Sequence, residues 1–429
     1  MGYQRRRLLT AALTANAIRP VPGYRASIPA FFAGWLTGEL APHVLATTAA
    51  DTAWHLARGR RDTRALALAG LTAAGLVHLI RQAQDSARVA EEALTEGLGV
   101  DYAAVLDPAP TPADLAVPWR RVARPFRVPY DGVVVERDIA YTEHGRRGLL
   151  DVYRPAVVAP GAPAAPVLLQ IHGGAWTIGK KEEQGLPLMT HLAARGWVCV
   201  AINYRLSPRD AWPAHIVDVK RAIAWIRAHI GEYGGDPAYL AVTGGSAGGH
   251  LTALAALTPG EAAWQPGFED VDTSVQVAVP HYGVYDMAGT LTGPVAGPNG
   301  RRMRDGFLAP RIFQRRYRED PAVFHDASPL EHVTDRAPDM FVIHGRLDTL
   351  VPVDHARELV ARLRATSRRS VVYAELPGTQ HGFDVFASVR SQHVVRAVER
   401  YLNWHWTTWR SGLGAARPDA GDDWVKTTS

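Results

Sequence analysis

The apolar positions of this chain fall into two rhythms. Up to about residue 106 they come in long Ala- and Leu-rich stretches studded with arginine. The last of these, "RQAQDSARVAEEALTEGLG", runs into glycines, as helices commonly end. "DPAPTPADLAVPW", residues 107–119, is rich in proline and reads as a connection. From about residue 132 the apolar runs become short. "VVVERDIAYT" and "GLLDVYRP" read as a strand pair with Gly-Arg-Arg-Gly at the turn between them. Six buried-strand candidates follow: 166–172, 197–204, 239–245, 275–283, 339–345 and 370–376. Helical patterns separate them. In one, Ile216, Val219, Ile223, Ile226 and Ile230 recur at steps of three and four and mark a single apolar face.

Strands alternating with helices predict an α/β fold, a mostly parallel central sheet with helices on both faces. Residues 286–337 break the rhythm. They hold no strand candidate, and an insertion this long between elements has the character of a lid or binding element. The chain therefore divides into a helical segment 1–106, a linker 107–131, an α/β domain 132–410 including the insertion, and a mobile tail 411–429. No internal repeat is evident.

Composition adds limits. Hydrophobic residues at 47% with charged residues at 21% are a globular balance. Cys199 is the sole cysteine, so no intrachain disulfide forms; its place in an apolar run predicts a buried, inert thiol. The formal charge of +5 comes almost wholly from arginine, and the arginines of the insertion (301, 302, 304, 311, 315, 316, 318) read as a solvated face. No basic run interleaved with aromatics occurs, which argues against nucleic-acid binding. "QRRRLLTAALTANA" has the basic and apolar parts of an export signal, but the apolar part is short. No compartment is assigned. Residues 65–80 are apolar yet short of the roughly 20 residues that span a bilayer, which favours a buried or interfacial helix.

The stretch "AVTGGSAGGH", 241–250, poses the chemical question. A phosphate loop would need Lys and a hydroxyl where His250 and Leu251 stand, and a dinucleotide fingerprint fails at Gly244-Gly245-Ser246. G-x-S-x-G is satisfied by Gly244 to Gly248, between a strand and a helix, which presents Ser246 as a nucleophile. Gly244 and Gly248 are expected to permit the sharp turn, Gly245 and Gly249 to keep neighbouring space open. The helix after the serine aims its positive end, and the N–H of Ala247, at a developing oxyanion. "IHGGAW" sets Gly173 and Gly174 at a strand end, where two further N–H groups can approach; His172 is expected to orient that loop, not to act as base. Asp348 follows one strand and His381 the next, the Ser–Asp–His order of α/β-hydrolases. Asp354 falls inside the next helix and Asp384 lies too close behind His381, so Asp348 is the expected acid. Trp176 and Trp212 are candidates to line a substrate pocket, although buried tryptophans more often belong to a core.

With these motifs in place, the chain resembles the hormone-sensitive-lipase-like branch of the α/β-hydrolases, and within it the mycobacterial lipase and esterase group. "HGGAW", "NYRLSP", "WPAHIVDVKRAIAW", "GGSAGGH", "HGRLDTLVP" and "HGFD" carry the resemblance, which covers about residues 130–405. It implies hydrolysis of carboxylic esters with short or medium acyl chains, and neither metal nor organic cofactor. Arg205 and Asp218 read as a structural ion pair. Arg209-Asp210 stands where many relatives have Ala-Pro-Glu. An amidase or formamidase with the same triad, and a membrane-associated lipase for longer chains, are the alternatives. Residues 1–106, with the insertion, are the material for a cap, a membrane contact or an oligomer contact.

Overall fold

The computed structural model describes residues 2–106, 109–292 and 296–412. Eight strands occupy the eight apolar runs: β1 (Val133–Ala140), β2 (Leu149–Pro155), β3 (Ala165–Ile171), β4 (Val198–Ile202), β5 (Gly235–Gly245), β6 (Val277–His281), β7 (Asp339–Gly345) and β8 (Val371–Leu376). They form one sheet in the order β1-β2-β4-β3-β5-β6-β7-β8. The β1–β2 and β2–β4 pairs are antiparallel and all others parallel. This is the α/β-hydrolase arrangement.

The helices that position the site are α1 (Tyr3–Ile18), α2 (Ser27–Glu39), α3 (Ala41–Ala57), α4 (Thr63–Leu98), α5 (Leu186–Ala193), α6 (Ala214–His229), α7 (Ala247–Leu257), α8 (Asp354–Thr366) and α9 (Val389–Arg410). Successive strand residues point to opposite faces, so a strand buried on both sides is apolar throughout. Val167, Leu169 and Ile171 of β3 join the core beneath α6, α7 and α8; Leu168 joins the core beneath α4, α5 and α9. Cys199 lies in the second core, and burial pushes its thiol up. Arg205 pairs with Asp218 at 2.7 Å, as expected.

The N-terminal helices are tied to this sandwich through α4, which has two halves. Leu76 and Leu79 pack with Ala17 of α1 and Ala41 of α3, whereas Ala90, Ala93, Leu94 and Leu98 enter the core beside Val372 and Val398. By length and composition α4 could cross a membrane. At Gly97 a Cβ would come within 2.7 Å of Val372 Cγ2, so the helix crosses β8 at its closest there. The basic start of the chain has a structural use. Arg6 and Arg7 both pair with Asp51 of α3, at 2.6 and 2.9 Å.

The described part of the insertion is helical. Ala296–Met303 leads into a π-helical stretch, Arg304–Phe313, then Pro321–Asp326. Leu308, Ile312, Phe313 and Phe324 are buried in the first core, so this stretch packs as part of the domain. Its arginines lie largely at the surface, several in ion pairs with acids of the same segment, such as Arg315 with Asp320. Of the expected tail, residues beyond 412 lie outside the described residues.

Candidate active site

β5 ends in a turn so tight that Ser246 sits at φ 60°, ψ −120°, and α7 begins on the next residue. A non-glycine residue at positive φ is strained and is held only by its surroundings. Ser246 N–H donates to the His281 carbonyl at 3.0 Å, which pins the turn to the end of β6. The four surrounding glycines have negative or unexceptional φ; the strain is on the serine alone. They are needed for space. A Cβ on Gly244 or Gly248 would collide with the Ile171 carbonyl of β3, on Gly245 with the Tyr282 ring, and on Gly249 with the His281 carbonyl.

His381 lies in the loop after β8, and its Nδ1–H donates to Asp348 Oδ2 at 2.6 Å. With that proton on Nδ1, the lone pair is on Nε2. Asp348 Oδ1 accepts from the N–H groups of Leu350 (2.9 Å) and Val351 (2.8 Å). Burial alone would raise the Asp348 carboxyl, but the imidazoles of His381 and His344 outweigh it and hold it well below the usual range. Asp354, at the start of α8, faces Arg357 instead. Tyr282 links the two halves of the site. Its ring lies 4.5 Å from the His381 ring, centroid to centroid, and fills the space beside Gly245.

Helix α2 roofs the histidine, a role no local sequence signal announces. Phe31 packs edge-on to His381 at 5.8 Å, and Trp35 Nε1 donates to the Gly382 carbonyl at 2.7 Å. Buried Glu39, at the end of the same helix, pairs with Arg390 and accepts from Ser388 of the segment that follows the histidine loop.

The loop after β3 departs from expectation. Gly173 was expected as an oxyanion donor, but its N–H donates to Gln184 Oε1 at 2.7 Å and is occupied. Gly174, Ala175 and Trp176 follow with φ of 121°, 51° and 57°. The N–H groups of Gly174, Ala175 and Ala247 have no hydrogen-bond partner among the described residues. The loop abuts Ser246, since a Cβ on Gly173 would stand 3.1 Å from Ser246 Cβ. His172 orients this loop as expected. Its Nδ1 bonds to the Gly173 carbonyl at 2.7 Å, its ring stacks on Tyr204, and burial pushes its pKa down to about 4.

Trp176 and Trp212, expected as pocket residues, are core residues. They are 1% and 7% exposed and pack around His250, with Trp176 Nε1 donating to His250 Nδ1 at 3.2 Å. Their large apolar faces found partners within the domain. Among the described residues no group of three or more His, Cys, Asp and Glu side chains could hold a metal ion.

A strained serine on a strand-to-helix turn, a buried histidine–carboxylate pair and a facing loop of free amides are the arrangement of an α/β-hydrolase. Comparison with known proteins narrows this. The BD-FAE family profile matches residues 150–363. The chain is 44% identical over 422 residues to the probable carboxylic ester hydrolase LipM of Mycobacterium tuberculosis, covering 94% of this chain and 93% of that one. It is 44% identical to esterase LipC of the same organism, over 68% of this chain and 72% of the other. It belongs to this family of carboxylic ester hydrolases and is an enzyme of that class. In three dimensions it is similar to the butyrate-bound esterase 2 of Thermogutta terrifontis, at TM-score 0.53, 24% identity, and coverage of 68% and 99%. It is likewise similar to the inhibited esterase B of Lactobacillus rhamnosis, at TM-score 0.54, 20% identity, and coverage of 67% and 91%. These two likenesses show the shared fold.

Proposed function

We propose that the enzyme cleaves carboxylic esters through a serine acyl-enzyme, with Ser246 as nucleophile, His381 as base and Asp348 as its orienting acid. The observation that carries this reading is Ser246 held at φ 60° at the head of α7, with the Asp348–His381 pair joined to the turn through Tyr282. Ser246 Oγ attacks the carbonyl carbon as its proton passes to His381 Nε2, and the departing alkoxide takes that proton. Water then attacks the acyl carbon, gives a proton to Nε2, and the acid leaves as Ser246 Oγ regains it. The developing oxyanion is met by the N–H groups of Gly174, Ala175 and Ala247 at the positive end of α7. Phe31 and Trp35 close over the histidine loop, which favours an acyl chain of short or medium length.

The test is covalent. A fluorophosphonate should label the wild-type protein on the peptide that contains Ser246. Ser246→Ala should lose both label and p-nitrophenyl butyrate turnover at an unchanged melting temperature. Retained turnover in that variant would sink the assignment. A series of nitrophenyl esters from acetate to dodecanoate then reads the chain-length preference, and matched anilides read any amidase activity.

A second observation favours a lipid contact beside the same site. On α2, Ile28, Phe32 and Leu36 recur every fourth residue and are 60%, 52% and 40% exposed, while Phe31 and Trp35 face the site. Exposed Arg19 and Arg25 precede them. We propose that this face rests on an anionic lipid surface. Co-sedimentation with phosphatidylglycerol vesicles should fall for the Ile28→Ser, Phe32→Ser double variant. Equal sedimentation of both proteins would remove this reading.

A further inference from the structure

A second histidine–carboxylate pair stands behind the first, and the mechanism above leaves it unused. His281 is the last residue of β6, and its Nδ1–H donates to Asp384 Oδ2 at 2.5 Å. The next residue, Tyr282, donates its phenolic O–H to the other oxygen of the same carboxylate. Burial opposes the charge on Asp384, yet these two donors outweigh it and keep the carboxyl below its usual range. No Lys or Arg pairs with Asp384 among the described residues. Its partners are the His281 imidazole and the Tyr282 hydroxyl, one on each carboxylate oxygen.

The geometry makes Tyr282 an intermediary. One end of the residue is fixed by its N–H to the Ile343 carbonyl at 2.8 Å, and the far end by Asp384. Between these anchors its ring lies against His381 at 4.5 Å and an interplanar angle of 60°, and against Phe383 at 5.0 Å. The backbone at Tyr282 has φ 34°, a strained value that a tyrosine keeps only when both ends are fixed. The carbonyl of His281, the other partner of Asp384, is the acceptor for Ser246 N–H. One carboxylate thus braces the wall beside the base and the residue that pins the nucleophile.

We infer that Asp384 is a positioning residue for the ester-cleaving site: through Tyr282 it fixes the His381 ring, and its carboxylate adds negative charge on the side of the imidazolium formed as the serine is deprotonated. This rests on the triad reading above. The charged and titratable groups set around His381 are Asp348 and His344 on the β7 side, and Tyr282 with Asp384 and its partner His281 on the β6 side. From α2 it meets the uncharged Phe31, and the carboxylate of that helix, Glu39, is neutralised by Arg390.

The experiment compares wild type, Asp384→Asn and Tyr282→Phe in p-nitrophenyl butyrate hydrolysis across pH 5 to 9, with melting temperatures measured in parallel. Asp384→Asn keeps the shape and removes the charge. Its kcat should fall roughly tenfold or more while KM stays within about twofold, as for an interaction made mainly in the transition state. The acid limb of kcat/KM should move to lower pH by roughly half a unit to one unit, because loss of a nearby negative charge disfavours a protonated imidazole. Tyr282→Phe keeps the ring and loses the anchor, so kcat should fall with a smaller movement of the limb. An unmoved acid limb in Asp384→Asn, or a kcat loss that follows only the folded fraction, overturns the inference. Fluorophosphonate labelling of wild type separates the two levels: an unlabelled wild type refutes the triad, whereas a labelled, active wild type matched by Asp384→Asn refutes only this proposal.

Discussion

The turn at residues 244–249 and the loop at 172–178 face one another across Ser246, and both are rich in glycine, yet they are held in different ways. The turn is fixed by its neighbours in sequence. β5 delivers it, α7 carries it away, and the Ile171 and His281 carbonyls stand where any side chain on Gly244, Gly248 or Gly249 would go. The loop after β3 is fixed from a distance. Gln184 holds the Gly173 amide, Tyr204 Oη donates to the His172 carbonyl at 2.9 Å, and Ser207 N–H donates to the Trp176 carbonyl at 2.9 Å. The serine's turn is a steric fit between packed elements; the loop after β3 is a hydrogen-bonded suspension. A steric fit should fail by unfolding, a suspension by losing rate while the fold survives.

The largest effect should come from breaking the steric fit. In Gly248→Ala the new methyl would drive into the Ile171 and His172 carbonyls, and both belong to a core strand and its end. Neither backbone can yield without moving β3 from α7. We expect a loss of about 3 kcal/mol or more, at the upper end of what overpacking costs, and no measurable esterase turnover. Denaturant unfolding of the purified variant checks this. A wild-type midpoint would mean that α7 can shift and that the turn is looser than its contacts imply.

This difference also explains what was legible in the sequence. The eight strands were readable because a strand buried on both faces is written as a continuous apolar run, as in "VLLQI" and "VCVAI". The pairing of Asp348 with His381 and the turn at Ser246 are legible because each of these residues follows a strand end in a fixed order. Gly173 was misjudged because the competitor for its amide, Gln184, carries no motif and is brought in by the chain's path into α5. Ala175 carries no glycine to mark it, yet it adopts positive φ, 51°. The roof formed by Phe31 and Trp35 depends on contacts to residues 381 and 382, which no local pattern in α2 encodes. Trp176 and Trp212 failed for the opposite reason: a large aromatic looks the same in sequence whether it meets a ligand or His250.

A middle-sized effect should follow from Gly174→Ala. This residue has φ 121°, which an alanine adopts only with strain, and its Cβ would meet the Ile178 carbonyl. The loop would shift as a unit and take the Gly174 and Ala175 amides off their aim. The expected loss in kcat is about 10²–10³, the usual scale for removing an oxyanion donor, with KM nearly unchanged in a protein that still folds at a lowered melting temperature. A variant that loses KM instead of kcat would show that the loop binds substrate and does not stabilise charge.

The smallest effect, and the most discriminating, belongs to Gln184. If its carbonyl oxygen only suspends the loop, Gln184→Ala leaves one amide without its partner, a change of about 0.5–1.5 kcal/mol in stability, and kcat falls about tenfold or less. Gln184→Glu makes the argument sharper, because it keeps an acceptor for the Gly173 N–H and so keeps the suspension. What it adds is a negative charge on the amide of Gly173, next to the Gly174 and Ala175 amides proposed to meet the oxyanion. That charge should oppose the transition state whenever the new carboxyl is ionised, so kcat relative to wild type should be lowest at neutral pH. The ratio should recover as pH falls through the carboxyl range, since the neutral acid restores the glutamine's electrostatics. A ratio flat with pH would place residue 184 too far from the reacting oxygen to matter, and would leave the loop's aim to Tyr204 and Ser207 alone.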